Sequence, residues 1–305
     1  MSQIFKTIQA QIIDFSQITN NEEKIIDMIT EKGIPALCIT NKSIYKISLG
    51  QGIIEGTNEI YDTYNQITKE FDFSITHPIF KNSYGIVNKR SEQELKILVY
   101  NIMLELTSMS KINVYIEDQW SKIYKDVYQN IGQYKTSSTI LPSLPFLKEN
   151  VDGFFVECKN TVSYLLTIFK IYYQKTSLIA KNPTCIKCIK DISNKNFNST
   201  NKDELIRIFQ DLDKLCSKMR AIRNAINHPE NYAENIFLLY DVHWENNKTL
   251  CPPLLEYKSK IEKVFYQGQE DIIKYFKHTY SNLLNITGNF LNILIEDIDS
   301  KTKKL

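Results

Sequence analysis

The chain has 305 residues, 43% of them apolar and 24% charged, the balance of a globular protein and not of a disordered or fibrous one. Lys+Arg 37 against Asp+Glu 35 leaves a formal net charge of +2, so no global positive field holds it on duplex DNA, and any nucleic-acid contact must come from a local patch. Nine glycines and eight prolines are about half of average usage, a shortage of turn formers that predicts long helices and argues against a sandwich or barrel.

Five of the nine glycines lie between Gly33 and Gly85, so composition divides the chain into a mixed N-terminal part and a helical remainder. Residues 1–90 read as a small α+β region. Thr19 or Asn20 caps a predicted helix that runs to Glu31 and stops at Gly33, with Pro35 beyond it. Residues 36–40 and 43–48 read as short strands about Asn41-Lys42, and 58–71 as a second helix.

Residues 91–145 read as a helical connector. Leu95, Leu98, Ile102 and Leu106 mark one helix from Ser91, a second spans much of 114–134, and 136–145, with Ser, Thr and two Pro, forms a linker. The remainder, 146–305, is the main helical domain. Phe155, Cys158, Val162, Leu165, Phe169 and Tyr172 step by three and four along a long helix. The Asn-rich stretch 182–203 reads as a loop. Leu205, Phe209, Leu212, Leu215, Met219, Ile222 and Ile226 then trace the cleanest helix in the chain, stopped by Pro229. Alternation through Ile236, Leu238, Tyr240, Val242 and Trp244, with a turn at 245–248 and a return over 249–251, predicts a β-hairpin. Helices over 254–280 and 282–298 complete the order.

No stretch approaches the roughly 18 uninterrupted apolar residues of a membrane span, and Met1-Ser2-Gln3-Ile4-Phe5-Lys6 lacks the layout of a signal peptide. The expectation is a cytosolic chain with no membrane partner. Six scattered cysteines suit reduced, packed thiols better than a disulfide framework. Gly50-Gln51-Gly52-Ile53-Ile54-Glu55-Gly56 has its third glycine one residue late for a dinucleotide loop and no βαβ series around it, so it reads as a turn. Cys185-Ile186-Lys187-Cys188 has metal-ligand spacing without a second pair to complete four ligands, so no metal site is expected. His77, His243 and His278 sit in no pattern that assigns them chemistry.

Arginine usage is the sharper signal. Only Arg90, Arg207, Arg220 and Arg223 are present, so 33 of the 37 basic residues are Lys, and three of the four Arg fall between positions 207 and 223. In so Lys-biased a chain, an Arg is a candidate for a task that needs the planar, always-charged fork. On an ideal helix with Arg223 at zero, Asn227 lies near 40°, Arg220 near 60°, Asn224 near 100° and His228 near 140°, while Met219, Ile222 and Ile226 fall between about −40° and −100°. The polar set shares one face and the apolar set another.

Arg223-Asn224-Ala225-Ile226-Asn227-His228 resembles the R-x4-H motif, with Asn after the Arg, of the HEPN superfamily, helical domains many of which are metal-independent RNases. The resemblance covers roughly 151–298. It implies a mainly α fold: a HEPN-like helical bundle with a β-hairpin insertion, preceded by the small α+β N-terminal region. It also implies an endoribonuclease that needs no metal or other cofactor, with Arg223, His228 and Asn224 in catalysis and Arg220 and Asn227 on phosphate.

Cutting RNA without metal requires the 2′-OH to attack the adjacent phosphate, with proton transfer and stabilisation of phosphoryl charge. His228 suits the first task, because the helix C-terminus and the neighbouring Arg side chains push an imidazole in opposite directions and keep it useful near neutrality. Arg223 suits the second through bidentate hydrogen bonds. One histidine does not easily act as base and acid in a single step, and the resemblance implies a homodimer that brings two motif helices together. A toxin or antiviral effector, held by an antitoxin or regulatory protein, is the role expected. The alternative is a non-catalytic HEPN-like module in which the same residues bind nucleotide, RNA or a protein partner.

Overall fold

The computed structural model describes residues 25–31, 34–40, 43–51, 63–72, 79, 93–131, 141–175, 181–227, 238–240, 242–245, 249–261 and 264–302. The chain forms two compact units, Met1–His77 and Pro78–Leu305.

Every described residue of the first unit lies in a strand. β1 (Ile25–Glu31), β2 (Ile34–Thr40), β3 (Ser43–Gln51) and β4 (Thr63–Asp72) form an antiparallel sheet in sequence order. β2 and β3 match the expected strands. Thr40 Oγ1 accepts from the Ser43 amide at 2.9 Å and donates to its carbonyl at 3.1 Å, closing the β2–β3 turn with both residues fully buried.

The helices expected through Glu31 and over 58–71 are corrected to β1 and β4. Ile25, Ile26, Ile29 and Thr30 are β-branched, and Glu31 pairs with Ile34 across only two residues, so a partner strand lies next to β1 in the chain. In β4, Tyr64, Ile67 and Phe71 carry helical spacing, yet the backbone pairs Ile67 with Ile47 and Phe71 with Ile44 of β3. Within the expected α+β region, the described residues up to His77 form a sheet. Gly50 and Gln51 end β3, and the rest of the glycine stretch lies outside the described residues.

The second unit is mostly helical. α1 (Gln93–Gln129) is one helix where two were expected, because Thr107, Ser110 and Asn113 are all buried and Thr107 donates back to the Met103 carbonyl at 2.9 Å. No Gly or Pro interrupts it. It packs along α2 (Leu147–Tyr173), where Cys158 meets Met109 and Asn160 donates to Glu105 at 3.2 Å, so it belongs to the bundle and is no separate connector.

α3 (Cys185–Ile192) falls inside the expected 182–203 loop. Thr184 caps it by accepting from the Lys187 amide at 3.2 Å, and Cys185, Cys188 and Ile192 form its buried stripe. α4 (Lys202–Asn227) follows its predicted stripe, with Leu205, Phe209, Leu212, Met219 and Ile222 buried.

After α4, β5 (Leu238–Tyr240) pairs with β8 (Leu254–Ile261), which pairs with β9 (Val264–Asp271), while β6 (His243–Glu245) pairs with β7 (Thr249–Cys251). The helix expected over 254–280 is corrected at this point. Leu254 to Ile261 alternates in sequence, and Gly268, poor in a helix, stands opposite Tyr257 in the ladder. Asp271 marks the true helix start, its Oδ1 accepting from the amides of Ile273 at 2.9 Å and Lys274 at 3.3 Å. α5 (Ile272–Thr302) then runs unbroken.

An aromatic core joins α2, α4 and α5. Phe154 stacks on Phe276 at 4.1 Å, and Phe209 meets Phe169 at 4.9 Å and Phe290 at 5.9 Å, both edge to face. Val242 and Leu250 pack with Val127 of α1, Trp120 lying against them. Among the described residues, no helix is long and apolar enough to cross a membrane.

Candidate functional site

α4 carries the candidate residues. Arg220, Arg223, Asn224 and Asn227 lie toward the C-terminal end of α4, whose described residues run to Asn227. The side chains of Arg223, Asn224 and Asn227, and the whole of His228, lie outside the described residues.

Arg220 is described in full. It is exposed beside a groove of about 180 Å³ between α2 and α4, lined by Phe155, Lys159 and Val162 from α2 and by Cys216, Met219 and Arg220 from α4. Lys159 is exposed as well, so two cations stand at an otherwise apolar groove. That combination suits an anion with a flat or apolar body: the ammonium and guanidinium take the charge, and Phe155, Val162 and Met219 take the rest. Arg223 follows Arg220 by three residues, about 60° away on the wheel, which sets its backbone position on the groove side of α4.

Two thiols, Cys185 and Cys216, stand near Arg220. The hydrogen bond with Cys216 lowers the Cys185 thiol below its ordinary value, against burial, with the Arg220 charge assisting. Cys216 is pushed up by the same hydrogen bond and by burial, and Cys188 is pushed up by burial. The CxxC pair thus opens α3 with both thiols buried. Among the described residues, no three His, Cys, Asp or Glu side chains gather in a way that would hold a metal ion.

A second cleft, about 470 Å³, lies between α4 and α5. Lys214 and Lys218 line it from α4; His278, Asn282, Asn285 and Asn289 line it from α5. Asn282 Nδ2 donates to His278 Nε2 at 3.0 Å, and Lys218 Nζ sits 5.1 Å from the centre of the Tyr275 ring. Sequence reasoning assigns His278 no role. The signal available is the recurrence of Asn four, seven and eleven residues after it, one stripe of a helix.

Comparison with family models, with curated proteins and with solved structures returns no match.

Proposed function

We propose that the chain is a metal-independent endoribonuclease of HEPN type, acting in the cytoplasm as a toxin or antiviral effector. The observation that carries the reading is the pairing of Arg220 with Lys159 at the α2–α4 groove, on the helix that bears the R-x4-H residues. In this reading Arg220 and Asn227 hold the RNA phosphate that flanks the cut. Arg223 places its fork on the non-bridging oxygens of the scissile phosphate and stabilises the charge that builds there. His228 takes the 2′-OH proton as the oxygen attacks phosphorus, and Asn224, one helical turn earlier, orients the imidazole.

The 5′-oxygen leaves and needs a proton. A second His228, from the partner of a two-fold homodimer, supplies it, which accounts for both acid and base. An antitoxin or regulatory protein that covers this face would hold the enzyme silent.

The test is cleavage of single-stranded RNA by purified protein in EDTA, together with the His228→Ala variant. Cleavage that survives chelation and disappears with His228→Ala supports the reading. Binding of RNA without cleavage would replace it with a non-catalytic module, and activity that returns only with a divalent ion would overturn the chemistry.

A further inference from the structure

The cleft between α4 and α5 is used by nothing in that reading. Its volume of about 470 Å³ falls within the roughly 300–1,000 Å³ of small-molecule sites. Lys218 of α4 sits over the Tyr275 ring at 5.1 Å, while Phe209, earlier in α4, meets Phe290, later in α5, at 5.9 Å. The two helices therefore run antiparallel, and the cleft has two unlike ends. Lys218 and His278 stand at one end, with Lys214 a turn further along α4. Asp211, Asn285 and Asn289 stand at the other. Between them Leu215 and Ile286, both partly exposed, supply apolar wall.

The cationic end suits a phosphate. Two ammonium groups on successive turns of α4 can donate to its oxygens. Asn282 Nδ2 donates to His278 Nε2 at 3.0 Å, which puts the ring's own N–H on Nδ1 as a further donor. The far end offers different chemistry: carboxamides that both donate and accept, beside a carboxylate that accepts, the groups that match the edges of nucleobases. Lys218 and Asp211 are seven residues apart, about 10 Å along the helix. That span holds one phosphate, one pentose and one base laid end to end. A longer strand would bring its next phosphate to Asp211, where the carboxylate, 3.4 Å from Lys214, repels it.

We propose that the α4–α5 cleft binds a nucleoside 5′-monophosphate. The phosphate lies on Lys214 and Lys218, the base lies against Leu215 and Ile286, and its polar edge meets Asn285 and Asn289.

The site is independent of RNA cleavage, and its test needs no activity. The full chain is titrated by calorimetry with the four 5′-nucleoside monophosphates, with the matching nucleosides and with ribose 5-phosphate. The expected result is saturable binding of at least one nucleotide, with its nucleoside and ribose 5-phosphate each at least tenfold weaker, since each lacks one half of the contacts. Lys214, Asn285 and Asn289 are exposed, so substitutions there leave the fold intact. Lys214→Gln should weaken the nucleotide and ribose 5-phosphate alike, by about tenfold or more, the scale of losing one charge-assisted hydrogen bond. Asn289→Leu should weaken the nucleotide and leave ribose 5-phosphate unchanged, a split that a general loss of structure would not produce. Ribose 5-phosphate that binds as tightly as every nucleotide would overturn the proposal, as would the absence of nucleotide binding. Nucleotide binding that both variants leave untouched would place the ligand elsewhere and overturn it equally. Single-stranded RNA that binds where no mononucleotide does would replace it with a strand-binding face.

Discussion

Tyr173 Oη donates to Asp297 Oδ2 at 2.7 Å, joining the last residue of α2 to the last turns of α5 across 124 positions of sequence. Asp297 is 1% exposed. A buried carboxylate that loses its donor keeps its full desolvation cost, so Tyr173→Phe should destabilise the fold by about 1–3 kcal/mol, read as a lower urea midpoint at unchanged slope. The pH dependence has a definite sign. Burial, then the Asp297 hydrogen bond and charge, push the Tyr173 phenol above its ordinary 10.0, so the native state holds its proton where the unfolded chain releases it. Stability from this group is full below pH 10 and falls as pH rises beyond it, a slope that Tyr173→Phe should remove.

Phe209 sits between two elements, edge to face with Phe169 of α2 and Phe290 of α5, and is fully buried. Phe209→Ala leaves a cavity that rigid helices cannot close, and should cost about 3–5 kcal/mol. Phe209→Leu should recover more than half of that loss, since it restores most of the apolar volume without the ring geometry. Chemical denaturation of the two variants checks both.

What the sequence made legible follows from how local each signal is. α4 is legible because seven apolar residues from Leu205 to Ile226 keep one helical spacing over the span the helix occupies. β4 is not, because Tyr64, Ile67 and Phe71 satisfy a helical template, and only the partner strand β3 selects the extended form. The same holds for 254–271, where the pairing of β8 with β9 outweighs propensity, although Gly268 and the cap at Asp271 carried the warning. At the candidate site, the positions of Arg220, Arg223, Asn224 and Asn227 on one helix were readable from the wheel. Lys159 beside Arg220 was not, since its approach depends on how α2 docks on α4.

Asn182 holds a polar knot that fastens the segment before α3 to α2. Its Oδ1 accepts from Lys170 Nζ at 2.9 Å and Thr167 Oγ1 at 3.2 Å, and its Nδ2 donates to Ser163 Oγ at 3.2 Å. Lys170 is 2% exposed, so Asn182→Leu takes an acceptor from a buried ammonium and should cost about 2–3 kcal/mol. Adding Lys170→Met removes the charge that was left short, and the double variant should be more stable than Asn182→Leu alone. Additive losses in this cycle would show that the two side chains are not coupled.

Glu157 of α2 lies a half-turn from Lys159 and is raised above its ordinary 4.5 by desolvation. A raised carboxylate keeps its proton longer in the native state than in the unfolded one, so its contribution to stability falls as pH rises from 4.5 through the native value. Glu157→Gln should therefore stabilise the chain at pH 7 and have no effect at pH 4. The size is small because the group is only partly buried and is screened by solvent. Thermal midpoints measured at both pH values check the sign.

The dimer and the arginine fork can be tested together. If the proposed cleavage uses two motif helices, light scattering at micromolar concentration should report about twice the 35.7 kDa chain mass, the range in which standard-sized interfaces hold. Arg223→Lys keeps the positive charge and loses the bidentate geometry, so it should leave the dimer intact and reduce RNA cleavage by roughly 100-fold, the scale of losing one preorganised donor to the developing oxyanion. Mixing Arg223→Lys protomers with His228→Ala protomers sharpens the outcome. A composite site that draws Arg223 and His228 from different protomers would regain part of its activity in the mixed dimer, because one of its two sites would then carry both native residues. A site confined to one protomer would gain nothing. A strict monomer that still cuts RNA would remove the partner's histidine from the mechanism and leave His228 to serve as base and acid in turn.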